Sequence, residues 1–215
     1  MKSKFIILVG PSGCGKTTIM QELVKQHPKI KYARSFTTRP YRDKSDDDMY
    51  CFVSEEDFLK KKKEGEFFET IQYAGYWYGT PKFEYEKAVK GKYHVIKALD
   101  SDGALTVKKL LGEDCILFYI HRKKEHIIKS LIERAIANPS LIDDVATRIL
   151  NIPVDFPTEH IVYNSSTVKE ATRQVLRWIP EESTKYVSAE DICVCCGSPV
   201  PEGTMVCASC QAKLK

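Results

Sequence analysis

The sequence predicts an α/β chain: a parallel sheet flanked by helices, broken by a β-rich insertion and followed by a small cysteine-bearing segment. Three observations predict it. Short apolar runs alternate with helix-length segments through residue 179, the pattern of a parallel sheet covered on both faces. Between about 35 and 80 the alternation gives way to a stretch rich in Tyr, Phe, Thr and turn residues. Five of the eight cysteines fall after residue 192, beyond a polar stretch that opens with a proline.

Taken in order, "KFIILV" is a buried strand, and 15–27 reads as a helix that begins in a glycine-rich turn. Within the insertion, "LKKKKEGE" is the solvated face of a short helix. "YHVIKAL" and "CILFYI" are further strands, each followed by a helical stretch. Between 124 and 137, Ile127, Ile128, Leu131, Ile132, Ala135 and Ile136 recur at helical spacing, "NPS" at 138–140 breaks the run, and a second helix carries Val145 and Ile149. "HIVY" at 160–163 is the last short strand, with a helix through Trp178 behind it. Residues 1–179 therefore form one domain, 180–192 a linker and 193–215 a separate tail, with no internal repeat.

A length of 215 residues fits one ordinary domain with a small appendage, and an apolar fraction of 43% is ample for its core. No apolar run approaches the roughly 20 residues that a bilayer demands. Lys2 and Lys4 ahead of "FIILV" have the outline of a signal peptide, but the run is short and its end is taken up by a phosphate-binding motif. The expected location is cytoplasmic. A net charge of +4 is modest, less than a nucleic-acid binder concentrates, so nucleic acid is not an expected partner, and neither is a membrane. Cys14, Cys51 and Cys115 are scattered and read as a loop residue and strand residues.

"GPSGCGKTT" follows the first strand and opens the first helix, and Gly10-x4-Gly15-Lys16-Thr17 matches the Walker A spacing in that context. Glycines let backbone N–H groups turn toward phosphate, and the helix N-terminus adds partial positive charge. Gly10, Pro11, Ser12, Gly13, Cys14, Gly15, Lys16, Thr17 and Thr18 are the expected ATP-binding residues. Lys16 reaches the terminal phosphates and the Thr17 hydroxyl ligates Mg²⁺. The expected fold is accordingly that of the P-loop NTPases. The loop leaves the phosphate acceptor open, because ATPases, GTPases and kinases share it.

"RSFTTRPYR", "DDDMYCFVS", "GEFFETIQYAGYWYGT" and "ALDSDGAL" follow the phosphate loop in that order. Together the five blocks closely resemble the guanylate kinases, over residues 4 to 178. The resemblance implies a GMP-binding region over about 35–80, a helical lid over about 122–150, and Mg²⁺-assisted transfer from ATP to GMP or dGMP. It implies that Arg39, Arg42, Tyr50 and Tyr78 hold the acceptor phosphate, as guanidinium forks and phenol hydroxyls are able to do. It places Glu69 on the N1–H and exocyclic amine of guanine, Ser35 and Thr80 near its O6, and Asp100 in the acceptor pocket. Lys16, Arg42, Arg134 and Arg148 are the groups expected to stabilise the transferred charge. Asn164 matches a late asparagine near the donor base, while His121 and His126 read as surface or structural histidines.

The sequence also departs from the family. Its members carry two alternating acids where this chain has "KALDSDG": Asp100 fits the second, and the first falls on Ala98, or on Lys97 if the gap is placed differently. Asp102 is an extra acid, "RDKSDDDMY" is one residue shorter than usual, and Phe36 replaces a small hydroxyl residue. These changes touch the acceptor pocket. They leave open a kinase for dGMP or another monophosphate, and a catalytically weak adaptor of guanylate-kinase type.

In the tail, Cys193-x2-Cys196 and Cys207-x2-Cys210 are separated by ten residues, a spacing that suits tetrahedral Zn²⁺ held by four thiolates in a small ribbon. Neither His nor Asp lies between the knuckles, so the zinc is expected to be structural. A piece of 23 residues buries too little surface to fold by itself, and bound zinc supplies roughly 10–16 kcal/mol. Cys195 stands outside the paired spacing. The ribbon is not a usual part of guanylate kinases; docking on a protein partner or a second copy is its expected use.

Overall fold

A computed structural model describes residues 2–41, 44–73, 75–150, 152, 156, 158 and 160–179. Arg42, the linker and the cysteine tail lie outside the described residues. Strand β1 (Phe5–Val9) leads into helix α1 (Lys16–Gln26), as the apolar run and the glycine-rich turn predict. Strand β2 (Ile30–Tyr32) follows, then β3 (Ser35–Thr37), β4 (Tyr50–Phe52), helix α2 (Glu55–Lys63), β5 (Phe67–Tyr73) and β6 (Tyr76–Pro81). Helix α3 (Lys82–Gly91), strand β7 (His94–Ala98), helix α4 (Ser101–Leu111) and strand β8 (Cys115–His121) restore the alternation. Helices α5 (Lys124–Ala137) and α6 (Ile142–Leu150), strand β9 (His160–Tyr163) and helix α7 (Val168–Leu176) close it.

The main sheet is parallel, in the order β2-β7-β1-β8-β9. Strand β1 sits at its centre with every residue buried, which is why it reads as a continuous apolar run and not as an alternation. Its period of two is visible in what each residue meets. Ile6 and Leu8 join Ile19, Leu23 and Val175 on the α1 and α7 side, while Phe5 and Ile7 join Ala88, Ala104 and Val107 on the α3 and α4 side. Each fully buried side chain of this size contributes about 1.5–3 kcal/mol, so β1 is anchored from both faces. His94 is fully buried beside it and accepts the Lys4 backbone N–H on Nδ1 at 2.9 Å. Burial, aided by the Lys4 charge, pushes its imidazole down to about 4, so it is neutral at ordinary pH.

The insertion forms a second sheet in the order β4-β3-β6-β5, with β3 parallel to β4 and the other pairs antiparallel. Helix α2 is capped by Ser54, whose side chain accepts from Asp57 N–H, with acids in its first turn and lysines in its last, the arrangement that the helix dipole favours. Its lysines face solvent as the charge run predicts. Phe58 is its buried residue, stacked on Phe67 at 4.8 Å and on Trp77 at 5.8 Å between ring centroids.

Helices α5 and α6 carry a small apolar cluster of Ile127, Leu131 and Val145, joined through the short turn Pro139–Leu141. The apolar stripe of α5 is wider than the face it buries: Ile132 is 46% and Ile136 74% exposed. Among the described residues, no helix is long and apolar enough to cross a membrane.

Candidate active site

The phosphate loop is a tight turn between β1 and α1, at the carboxyl edge of the central strands where open α/β sheets bind ligands. Gly10 is required by packing, since a Cβ there would lie 2.8 Å from Ile120 O and 2.9 Å from Cys14 Sγ. Gly15 caps α1 at φ 100°, and a Cβ would collide with Asn164 Nδ2. Lys16 donates from Nζ to Gly10 O at 2.7 Å and to Pro11 O at 3.1 Å. Burial holds its ammonium below its ordinary value, and the guanidiniums of Arg134 and Arg148 add to that lowering. Anionic phosphate relieves both.

Arg134 and Arg148 both reach the loop. Arg134 Nη1 donates to Ser12 Oγ at 3.3 Å from α5, and Arg148 Nη1 donates to the same oxygen at 2.8 Å from α6. Two guanidiniums converge on one hydroxyl of the phosphate loop. Asn164, expected near the donor base, donates from Nδ2 to Cys14 O at 2.8 Å and so braces the loop. Arg122 was not singled out in the sequence; its Nη1 donates to Gly13 O at 2.8 Å and to Ser130 Oγ at 2.9 Å. The available signal was its place just past the end of β8, on the ligand side of a parallel sheet.

A cleft of about 450 Å³ opens beside α1 and joins the two sheets, with Thr17, Arg39, Tyr50, Glu69, Tyr78 and Asp100 in its wall. Ser35 lines it as well, and Thr80 stands behind Glu69. At one end Arg39 is 5% exposed; its Nη2 donates to Asp46 Oδ1 at 2.8 Å and its guanidinium lies 5.0 Å from the Tyr50 ring centroid. Tyr50 and Tyr78 meet edge to face at 6.2 Å. This end holds a buried cation against the rings of Tyr50 and Phe52. Asp46, in a short turn ahead of β4, is a site residue that the sequence offered only as one member of an acidic run.

The other end is built of polar groups that constrain one another. Thr80, fully buried in β6, donates its hydroxyl to Glu69 Oε1 across the β5–β6 pair. Burial raises the Glu69 carboxyl above its ordinary value, against the Thr80 hydrogen bond and the Lys97 charge, both of which favour the ionised form. Asp100 caps α4, accepting from Asp102 N and Gly103 N. The gap at the family's first acid resolves into two neighbours in the cleft wall, Ala98 and Lys97. Lys97 lies 8% exposed in β7 and donates from Nζ to Ala33 O at 3.2 Å and to Ser35 Oγ. Its visible signal was a single lysine inside an otherwise apolar strand. Among the described residues no group of three or more His, Cys, Asp or Glu is placed to hold a metal ion, and the four paired cysteines fall outside them.

The guanylate kinase family model matches residues 2–179. The guanylate kinase of Thermotoga maritima is 29% identical over 196 residues, spanning 89% of this chain and 93% of that protein. That of Prochlorococcus marinus is 30% identical over 177 residues, spanning 82% of this chain and 96% of that protein. The crystal structure of guanylate kinase from Anaplasma phagocytophilum shares the fold with a TM-score of 0.59 at 21% identity, over 85% of this chain and 87% of that one. The glycine-rich loop, the two arginines upon it and the polar cleft beside it thus occur within a matched span of nearly the whole described chain, and the chain belongs to the guanylate kinase family.

Proposed function

We infer that the chain transfers the γ-phosphoryl group of ATP to GMP, yielding ADP and GDP, and that the residues of the two-ended cleft carry the roles the resemblance implies. A phosphate oxygen of GMP attacks the γ-phosphorus in line while the bond to the β,γ-bridging oxygen breaks. The observation that carries the reading is the cleft itself: a buried arginine with two tyrosines at one end, a carboxylate fixed by a threonine at the other, and a phosphate loop with two arginines alongside. Arg39, Tyr50 and Tyr78 take the acceptor phosphate, with Arg42 assigned to the same task from sequence. Glu69 accepts from the two donors on the guanine edge and Ser35 completes the polar contacts, while Thr80, expected near O6, is buried behind Glu69 with its hydroxyl donated to that carboxylate and acts by fixing it. Lys16 holds the donor phosphates, and Arg134 and Arg148 meet the charge that builds on the moving group.

Thr17 is exposed in the first turn of α1 and lines the cleft, as a hydroxyl ligand for a hard cation must. The Thr17 hydroxyl would hold the Mg²⁺ that accompanies ATP, and that ion would supply neutralisation of phosphate charge. The chain's own part is to present that hydroxyl beside Lys16 and to close α5 and α6 over the loop, which excludes water.

The test is an ADP-release assay with Mg·ATP and GMP, dGMP, AMP, UMP, CMP or dTMP offered separately. Turnover is expected with GMP and dGMP, and no more than about 10⁻⁴ of that kcat/KM with AMP, the discrimination a hydrogen-bonded site reaches. Equal use of AMP and GMP would sink the guanine assignment.

The spacing of Cys193, Cys196, Cys207 and Cys210 further supports one structural Zn²⁺ in the tail. Metal analysis of the purified protein should find one zinc per chain. Cys207→Ser with Cys210→Ser should abolish it with GMP turnover unchanged, since every kinase residue named above precedes residue 180. Zinc unaffected by the double substitution would refute the four-thiolate site.

A further inference from the structure

Lys97 is a costly residue to place in β7. An ammonium with three N–H donors and no acceptor is carried into the sheet where an apolar side chain would pack without penalty. Its Nζ donates to Ala33 O and to Ser35 Oγ. A serine hydroxyl has one hydrogen. With its oxygen accepting from Lys97, that hydrogen must be donated to something else, and Ser35 lines the cleft. Glu69 is constrained in the complementary sense. Its Oε1 accepts from Thr80, leaving Oε2 to accept from a ligand, and the Lys97 charge favours the ionised carboxylate that burial opposes.

We propose that Lys97 is a specificity-determining positioning residue: its buried ammonium commits the Ser35 hydroxyl to donating into the cleft and keeps Glu69 an ionised acceptor, so that the pocket reads a 6-oxopurine and turns away a 6-aminopurine. A 6-oxopurine offers a carbonyl oxygen next to an N–H, which pairs with a donor beside an acceptor. A 6-aminopurine offers an amine next to a bare ring nitrogen, setting N–H against O–H and a lone pair against the carboxylate. The proposal rests on the GMP reading above and adds to it the group that sets the polarity of the pocket.

The groups facing Lys97 are Ser35 from β3, Cys51 from β4, Glu69 from β5 and Glu84 from α3, with Asp100 acting on Glu69 from the start of α4. Burial pushes the Lys97 ammonium down to about 8, against the raising effect of Glu69, Glu84 and Cys51. It is charged below that pH and neutral above it. A neutral amine can accept from Ser35, which lets the hydroxyl turn away from the cleft.

The experiment measures kcat and KM for GMP and AMP between pH 6 and 9.5 in the full chain, Lys97→Met and Glu69→Gln, with thermal unfolding as a control for folding. In the unsubstituted chain KM for GMP should climb as pH passes about 8, with kcat held. Lys97→Met should raise KM for GMP about 10- to 100-fold at pH 7, the size of a lost charged hydrogen bond, and narrow the preference for GMP over AMP. It should also lack the alkaline limb beyond what ionisation of the nucleotide itself contributes. Ser35→Ala combined with Lys97→Met should cost no more than the lysine change alone, because one acts through the other. Profiles and preference unchanged in Lys97→Met, with GMP use lost in Glu69→Gln, would overturn the proposal and leave the guanine pocket standing. No change in either variant would overturn both. Should Lys97→Met unfold, the limb near pH 8 in the unsubstituted chain decides alone: its absence overturns the proposal.

Discussion

Glu69→Gln is expected to lower kcat/KM for GMP about 10⁴-fold, the penalty when a site built to pair polar groups meets a partner that cannot satisfy them. The substitution keeps the shape of the side chain and replaces one carboxylate oxygen with an amide donor. Oε1 is committed to Thr80, so the group that changes sign is the one facing the base, and it then sets N–H against the N–H donors of guanine. Stability should move the other way. Burial raises the Glu69 carboxyl above its ordinary value, so between the unfolded and folded values the native chain binds more protons than the unfolded one. Stability contributed by this group is therefore present at low pH and lost as pH rises through that window. Where Glu69 is ionised it burdens the fold, and Glu69→Gln, which carries no charge, should unfold at the same temperature as the unsubstituted chain or a higher one. Lost turnover together with a lowered unfolding temperature would recast Glu69 as a structural residue.

That opposition explains which parts of the chain could be read from its sequence. The frame was legible because its elements are specified locally. β1 is apolar throughout because both of its faces are covered, the turn after it needs glycine at Gly10 and Gly15, and "NPS" stops α5 at Ala137. Ser35, Arg39, Tyr50, Glu69, Tyr78 and Asp100 were named in advance by a resemblance, and the structure brings them to one cleft. The partners that give those residues their chemistry were not legible. Asp46 meets Arg39 across a turn, Lys97 meets Ser35 from the other sheet, and Arg122 meets Gly13 from 109 residues away. Asp46 and Arg122 are charged residues whose sequence neighbours suggest a solvated surface, and Lys97 is a lone charge among apolar neighbours that do not name its partner. Only tertiary contact between β3 and β7, or between β8 and the phosphate loop, turns them inward. Tyr73 is the extreme case, with nothing local to mark it off from the other tyrosines of the insertion.

Tyr73 matters for the second large effect, a fall in kcat of about 10³-fold in Arg148→Met, the lower range for an arginine that stabilises a transferring phosphoryl group. Arg148 is held from three sides. Its Nη1 donates to Ser12 Oγ at 2.8 Å, its Nη2 donates to the Tyr73 hydroxyl, and its Nε lies in an ion pair 2.8 Å from Asp144. Tyr73 in turn donates to Asp144 at 2.9 Å and places its ring 5.4 Å from the guanidinium. Helix α6, the β5–β6 hairpin and the phosphate loop thus meet at one planar cation, and the transfer proposed above would bring donor and acceptor phosphates to it. A cation so placed acts on charge that spreads over the moving group, more than on either nucleotide at rest, so KM for ATP and GMP should stay within a few-fold while kcat falls. Arg148→Lys should not restore the rate, because a single ammonium cannot bond to Ser12 and Tyr73 while pairing with Asp144. Tyr73→Phe should cost about tenfold in kcat, in line with one lost hydrogen bond to a charged group. Arg148→Met with an unchanged kcat and a raised KM for ATP alone would make the arginine a ground-state clamp on the donor, and the clasp with Tyr73 a feature of lid packing.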